Sequence, residues 1–440
     1  MDARETALSV LRACRRGGAW SDLGLKAALD KSGLDRRDAA LASRICYGVI
    51  QNEALLDHYL AAFSSRPLDK LEPALPDILR IGAYQLLFMD RIPDTAAVNE
   101  AVTMAKRHAS VKAAGFVNGV LRTLAAHKDA LPPIPQEDRN AYLSIRYSHP
   151  LWLVERMSAL LGAETEAFLR CSNEPAPLTA RVNRLKSDTD TLIGELRDED
   201  IEAARHPWLP DSVLLPGGDI RGVRAFEEGK LFVQDAAATL AVLAAGAKPG
   251  DTVLDVCGAP GGKSFALASA LGGACRIVTR DLHPNKVRLI ADGAKRLGME
   301  TVIAAEQADA REAREEDRER FDLVIVDAPC SGLGIIRKKP DIRAKRPEDI
   351  APLPAIQLAI LSAASKAVKP GGTLLYATCT ILPEENEDVV GAFTASDGRF
   401  APAAFTLPGP AGSVPTGMLT LWPQIHGTDG FFICRLKRTF

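Results

Sequence analysis

Nothing in this chain approaches the ~20 consecutive apolar residues that a membrane-spanning helix needs. The first residues, MDARETALSVLRACRRGG, carry acids early and lack an apolar core followed by a small-residue cleavage site, so a secretory signal is not expected. Cysteine is scarce. Eight in 440 residues are too few for a disulfide scaffold, and none stands in a CxxC pair, so structural zinc is not expected either. The expectation is a cytoplasmic protein that uses no membrane and no metal. There is no internal repeat and no low-complexity tract beyond alanine richness. A net charge of −2 excludes a uniformly basic nucleic-acid binder, while leaving local patches open.

What remains is the composition of an ordinary folded protein, 47% hydrophobic and 25% charged. Its length suggests about three domains. Residues 1–130 show no strand alternation. In Leu41–Phe63 and Ala74–Asp90, apolar residues recur at three- and four-residue steps, which predicts helix after helix punctuated by Pro67, Pro73, Pro76 and Pro93. The stiff LPPIPQ segment (131–136) predicts a domain boundary. Residues 140–245 read as a small α/β connecting domain, with an amphipathic helix near Trp152–Leu161, a strand at Leu178–Leu185 and a loop at 215–222. From 246 to 440 short apolar runs alternate with helical segments: 252–256, 276–280, 301–305, 323–328 and 373–379. That alternation predicts a mainly parallel sheet covered by helices on both faces. The terminal run 430–437 has no helix after it and is expected to enter the sheet antiparallel.

The first of these strands runs into Cys257-Gly258-Ala259-Pro260-Gly261-Gly262-Lys263-Ser264, a glycine-rich turn where backbone amides can approach a ligand closely. It does not match the GxGxxG of a dinucleotide site. A phosphate loop, GxxxxGK[ST], fits only at Gly262-Lys263-Ser264, because Cys257 stands where the first glycine is required. Asp327 could then pass for the Mg²⁺-binding acid of a nucleotide hydrolase, and a ligand-free tight turn is the plainest alternative. S-adenosylmethionine (SAM) suits the surroundings better. Its ribose diol needs an acid at the end of the second strand, and Asp281 lies there, 23 residues after Gly258. Asp309 follows the third strand, placed to accept from the adenine amine.

Two cysteines end the next two strands: Cys330 in Asp327-Ala328-Pro329-Cys330-Ser331-Gly332, and Cys379 in Ala377-Thr378-Cys379. Loops beyond the carboxyl ends of parallel strands are where open α/β sheets bind ligands. Either thiol alone would read as a small buried side chain. Together with an acid they form the minimum set for methylating C5 of cytosine. A thiolate adds at C6 and makes C5 nucleophilic. An acid near N3 stabilises the developing charge. A further group handles the departing proton. Chemistry alone leaves open which cysteine attacks. The stretch 337–346 holds six basic residues and one acid and directly follows the Asp327–Cys330 turn, so Arg337, Lys338, Lys339 and Arg343 are candidate RNA contacts. Arg12, Arg15 and Arg16 form a weaker patch, in a region whose 18 Lys and Arg against 15 Asp and Glu could serve solubility alone.

The phrases CGAPGGK, DAPCSGLGIIRKKPDIR, YATCTILPEENE and GTDGFF closely resemble the Sun/Fmu (RsmB) group of bacterial 16S ribosomal RNA cytosine-5 methyltransferases. Upstream, ICYGVIQNEALLDHYL, IPDTAAVNEAV and GFVNGVLRTL resemble the helical NusB RNA-binding fold, and YSHPLWLVERM, RVNR and FEEGKLFVQDAAA the connecting domain of that group. The resemblance spans nearly the whole chain. It implies an all-α NusB-like domain, a small α/β domain, and a Rossmann-like SAM-dependent methyltransferase domain with a mainly parallel seven-stranded sheet. It implies SAM at Cys257 to Lys263 (Gly258, Ala259, Pro260, Gly261 and Gly262 between), Asp281, Asp309 and Asp327. It implies Cys379 as the nucleophile and Cys330 as the thiol that assists release. It further implies cytosine 967 of 16S ribosomal RNA as the substrate, met before full assembly of the small subunit by a monomeric enzyme, the alternative being another RNA methylated by a paralogue of the same family. Departures are Gly258 and Gly332, where alanine is more usual, and Arg280 and His283 around the ribose acid. The N-terminal resemblance alone would also suit a non-catalytic RNA-binding factor.

Overall fold

The computed structural model describes residues 2–17, 21–217 and 220–440. The side chains of residues 16, 17 and 21–23, and positions 218–219 of the expected 215–222 loop, lie outside the described residues, and Arg16 of the basic patch with them. The chain divides into two compact units. One comprises residues 1–174 together with 336–345, and the other 175–335 together with 346–440.

The first unit is helical throughout. Helices Ala3–Gly17, Ser21–Ser32, Arg36–Gln51, Glu53–Phe63, Leu75–Phe88, Asp94–His108 and Val111–Ala126 surround one apolar core. Leu75–Phe88 is its central element. Almost every residue from Leu75 to Leu86 is buried, as expected of a helix that is apolar on all sides. Close approach is made possible by glycine: a Cβ on Gly48 would lie 1.9 Å from the Tyr84 ring. The proline-rich connection contains no helix, as its composition predicts. The compact unit nevertheless continues past it. Asp138 caps the helix Arg139–Tyr147, accepting from Asn140 N at 2.8 Å, and Leu151–Leu161 and Thr165–Cys171 follow. The segment expected as one domain over 140–245 is therefore divided near Glu174.

Residues 336–345 are also part of the helical unit. Arg343 is only 7% exposed. Its Nη1 donates to the carbonyls of Gln51 (2.7 Å) and Ser148 (3.1 Å), and its Nη2 to Ser172 O (3.1 Å) and Asn173 Oδ1. Gln51 ends one helix, and Ser148 and Ser172 cap two others. These carbonyls lack intrahelical donors and carry the negative ends of the helix dipoles, so they offset a buried cation.

In the second unit, β1 (Leu178–Val182), β2 (Ala204–Arg205), β3 (Ser212–Leu215) and β4 (Leu231–Val233) form an antiparallel sheet in the order β2-β3-β1-β4. Ala180 and Val182 pack with Leu192 and Leu196 of the helix Thr189–Asp198. The sheet is tied to the rest of the unit by Asn183, whose Nδ2 donates to Gly229 O and Leu297 O, both at 2.8 Å.

The main sheet contains β5 (Thr252–Asp255), β6 (Arg276–Asp281), β7 (Ile303–Gln307), β8 (Phe321–Asp327), β9 (Val368–Thr378), β10 (Phe400–Pro402) and β14 (Phe431–Arg438). A small hairpin of β11 (Phe405–Thr406) and β12 (Ser413–Val414) stands apart, and β13 (Met418–Leu421) pairs with β14. Seven strands make the row β10-β14-β9-β8-β5-β6-β7, with β13 an eighth beside it. Strands β5 to β9 are mutually parallel, and β14 enters antiparallel beside β9. Alternate side chains serve opposite cores, as the two-residue period requires. Val253, Ile277, Leu323 and Leu375 meet the helices Ala236–Ala245, Gly262–Ala270 and Pro284–Leu297, while Leu254, Val324, Leu374 and Tyr376 meet Leu353–Ser365 and Glu387–Ser396. The chain runs outward from β5 to β7, then returns to β8 on β5's other edge. That reversal opens a crevice at the carboxyl ends of β5 and β8, where such sheets bind ligands.

Candidate active site

The turn after β5 is built from close contacts. Gly258 N donates to Arg280 O at 2.8 Å, and Gly261, at φ +112°, starts the helix Gly262–Ala270. Only glycine tolerates that φ without strain, and a Cβ there would lie 2.2 Å from the Phe265 ring. The departure at Gly258 has a local cause. A Cβ on it would lie 2.2 Å from Thr279 Cγ2 and 2.8 Å from Asp255 Oδ2, so the threonine methyl occupies the space of the missing side chain. The Ala259–Pro260 peptide is cis. Cys257 is half-buried, and its thiol is pushed up by burial and by the carboxylates of Asp255, Asp327 and Asp281.

Beneath the turn, Asp255 is fully buried. Its Oδ2 accepts from Ser264 Oγ at 2.8 Å, and Thr279 Oγ1 lies 2.8 Å from that hydroxyl. Burial raises this carboxyl to about 7, and Asp327 adds to the shift. Lys263 Nζ reaches Asp327 Oδ2 at 2.5 Å and lies 5.1 Å from the centre of the Phe431 ring. The phosphate-loop reading loses its parts here. Ser264 is fully buried with its hydroxyl on Asp255, and Lys263 is held by Asp327 rather than projecting to a phosphate.

Asp281, at the end of β6, is 7% exposed and accepts from His283 N at 3.1 Å. Arg280 turns away from it to pair with Asp317 and with Glu306 (2.9 Å). Asp309 lies two residues beyond β7. Its carboxylate is engaged by Arg311, whose Nε is 3.0 Å from Oδ1, and the pairing lowers it to about 2.

Cys330 and Cys379 face one another with their sulfurs 3.3 Å apart, both half-buried. The hydrogen bond to Cys379, burial, and the charges of Cys379 and Glu385 push the Cys330 thiol well up. Two backbone contacts bring their loops together. Gly334 N donates to Cys379 O (3.0 Å), and Gly430 N to Gly334 O (2.8 Å). A Cβ on Gly334 would lie 1.9 Å from Gly430 O. Sequence reasoning assigned no role to Gly334, Gly430 or the buried Glu385. Their only signal was membership of the quoted phrases DAPCSGLGIIRKKPDIR, GTDGFF and YATCTILPEENE.

The basic stretch divides. Lys338 and Lys339 are exposed, whereas Arg337 and Arg343 are buried in the helical unit, Arg337 against Cys171 and Arg343 on helix-end carbonyls. Expecting Arg343 and Arg337 to meet RNA phosphates is corrected by that burial. Arg15 is likewise occupied, on Asp77 and Glu53 at 2.8 Å each.

Family models match three segments: the NusB family over 1–126, the ferredoxin-like domain of RsmF/B-like methyltransferases over 149–219, and 16S rRNA methyltransferase RsmB/F over 242–437. A Bacillus subtilis (strain 168) protein described as a probable ribosomal RNA small subunit methyltransferase B is 39% identical, over 99% of this chain and 98% of its own. The chain belongs to the RsmB/F methyltransferase family. The Erwinia tasmaniensis ribosomal RNA small subunit methyltransferase B is 34% identical, with 91% of each chain covered. The crystal structure of PH0851 has a TM-score of 0.83 at 28% identity, covering 99% of this chain and 98% of that one. As a member of the RsmB/F family this chain is an RNA methyltransferase with the family's Rossmann-like catalytic domain and a NusB-like helical domain. RsmB/F methyltransferases use SAM. The chemistry of the site fits that group, since the carboxylate of Asp281 ends β6 beside the glycine-rich turn, where it can accept from a ribose diol. Among the described residues no helix is long and apolar enough to cross a membrane.

Proposed function

We propose that the enzyme methylates C5 of a cytosine in 16S ribosomal RNA, cytosine 967 in that molecule's numbering, through a covalent bond between Cys379 and C6 of the base. The observation that carries this reading is the pair of thiols 3.3 Å apart at the ends of β8 and β9, in the crevice that also holds the Lys263–Asp327 pair. SAM, held by Cys257 to Lys263, Asp281 and Asp309, supplies the methyl group. The target base leaves its stack to reach the thiols. Cys379 attacks C6 as a thiolate, and its electron pair becomes the C6–S bond. Asp327, oriented by Lys263, faces N3 and the exocyclic amine and stabilises the charge that develops there. C5 takes the methyl as the methyl–sulfonium bond breaks, freeing the demethylated cofactor. The C5 proton then passes to solvent water, its bonding pair re-forms the C5–C6 double bond, and the C6–S bond breaks with its electron pair returning to Cys379. Cys330, the neighbouring thiol, assists that release. The helical domain (1–130) recognises the RNA before the small subunit is fully assembled, with Lys338 and Lys339 contacting phosphate. The connecting segment (140–245) joins it to the catalytic domain (246–440), and the enzyme acts as a cytoplasmic monomer.

Cysteine replacement tests the assignment. Cys379→Ala abolishes methylation and leaves no adduct. Cys330→Ala reacts once and traps a protein–RNA complex that survives denaturing electrophoresis. A stable adduct in Cys379→Ala with none in Cys330→Ala would reverse the roles. Bisulfite sequencing of RNA from cells with and without the protein identifies the cytosine.

A further inference from the structure

Two identical side chains 3.3 Å apart do not by themselves differ in reactivity. The asymmetry between them lies one layer below, at Glu385, whose side chain is fully buried. One oxygen accepts from Ser331 N (2.8 Å) and Gln357 Nε2 (2.9 Å), and the other from Ser331 Oγ (2.5 Å) and Thr380 Oγ1 (3.2 Å). Ser331 follows Cys330 and Thr380 follows Cys379, so one carboxylate holds the next residue after each thiol. Gln357 extends the grip by donating to Pro329 O, just before Cys330, at 3.0 Å. On the other loop, Tyr376 Oη donates to Glu385 O at 2.6 Å, and Asn386 holds Thr378 Oγ1 (2.6 Å) and Thr380 O (3.2 Å) on either side of Cys379.

We propose that Glu385 is a positioning residue that fixes the two cysteine loops against one another and makes Cys330 the thiol that keeps its proton, leaving Cys379 to attack. This deepens the covalent-cysteine reading and rests on it. The attacking species must be a thiolate. The ionisable groups acting on Cys330 are Cys379 from the end of β9, Glu385 from the turn that follows, and the Tyr376 hydroxyl on β9. The donors around the carboxylate are amide and hydroxyl groups, which carry no compensating charge, so a carboxylate there disfavours a second anion on Cys330.

Glu385→Gln in the full-length protein tests this. Isothermal titration with SAM and a melting curve establish that the variant is folded. Iodoacetamide labelling read by mass spectrometry across pH then reports each thiol without any turnover. In the unaltered protein Cys379 is labelled at lower pH than Cys330. Glu385→Gln brings the Cys330 midpoint down by about one unit, since removing a neighbouring charge shifts a thiol on that scale. It also lowers kcat at least tenfold, with KM for RNA within threefold. Glu385→Asp keeps the charge and retains the labelling order. Labelling of Cys330 before Cys379 in the unaltered protein, or an unmoved Cys330 midpoint in Glu385→Gln, overturns the proposal. If Glu385→Gln fails to bind SAM, Ser331→Ala and Gln357→Met carry the test, since they leave the carboxylate in place. Each should lower kcat at least fivefold at unchanged SAM affinity, and unchanged kcat in both overturns the proposal. Failure of the covalent reading shows separately, as an active Cys379→Ala enzyme.

Discussion

Each unit buries a charged side chain that joins segments far apart along the chain, Arg343 in one and Glu385 in the other, and the two are offset differently. In the helical unit Arg343 donates to four backbone carbonyls at or just past helix ends, that of Tyr147 at 3.5 Å being the most distant, and to one side-chain oxygen. In the α/β unit Glu385 accepts from the backbone amide and hydroxyl of Ser331 and the hydroxyl of Thr380, on loops that carry the two thiols, and from Gln357 on the helix Leu353–Ser365. The arginine's partners are parts of the scaffold, which would be left without donors if it were removed. The carboxylate's partners sit next to reacting groups. One burial serves folding and the other placement. A buried charge is costly unless its hydrogen bonds are made, so both positions should be intolerant of change, with different consequences.

The largest expected effect on stability is therefore at Arg343. Arg343→Met should destabilise the helical unit by about 3 kcal/mol or more, because each carbonyl left without a donor costs about 1–3 kcal/mol. Hydrogen exchange should show lost protection across 139–172 and unchanged protection in β5 and β6. Equal loss in both units would break the contrast. Gly258→Ala comes next. Its Cβ would meet the Thr279 methyl, and overpacking of this kind costs about 1–3 kcal/mol. SAM affinity, read by titration, should fall with it, and adding Thr279→Ser should recover both. Affinity unchanged by Gly258→Ala would separate the turn's packing from its binding.

Asp255 is another buried carboxyl, and only one of its oxygens is matched by a side chain, that of Ser264. Its carboxyl is raised to about 7 in the folded protein against about 4 in a free chain. Between those values the folded state holds the extra proton, so its contribution to stability falls as pH rises from about 4 to about 7. Asp255→Asn should flatten that part of the stability–pH curve, measured by urea unfolding at several pH values. A slope unchanged by the substitution would assign the dependence elsewhere. The smallest effect on stability is expected at Lys338 and Lys339, which are exposed. Replacing either by Gln should change stability by less than about 0.5 kcal/mol. RNA affinity should drop a few-fold, and the salt dependence of binding should become shallower by about one counterion per lysine. An unchanged salt dependence would remove these lysines from the RNA surface.

The contrast also explains what could be read from the residues alone. The parallel core was legible because strands β5, β6, β8 and β9 are largely buried on both faces and therefore appear as apolar runs between helical segments. The same logic puts Asp281, Asp327 and Cys379 at strand ends, which is where the structure has them. Arg343 was misread because its acceptors are 170 to 292 positions away along the chain. Seen locally, it is one more positive charge in a basic loop. Glu385 sits in the acidic phrase PEENE, which has the composition of a solvated turn. Its burial depends on Ser331, 54 positions upstream. The departure at Gly258 becomes intelligible only once β6 places Thr279 against it. In each case the deciding partner is distant in sequence, and periodicity carries no trace of it.

The placement of residues 336–345 has a consequence for the order in which the protein is made. A ribosome has finished the ten α-helices described between residues 3 and 171, yet Arg343 and the rest of this segment are still more than 160 codons from synthesis. Through that interval the carbonyls of Gln51, Ser148 and Ser172 wait without the guanidinium that will pair with them. The helical unit thus reaches its final form only after β5 to β8 of the catalytic sheet have emerged, and the first unit to begin folding is not the first to finish.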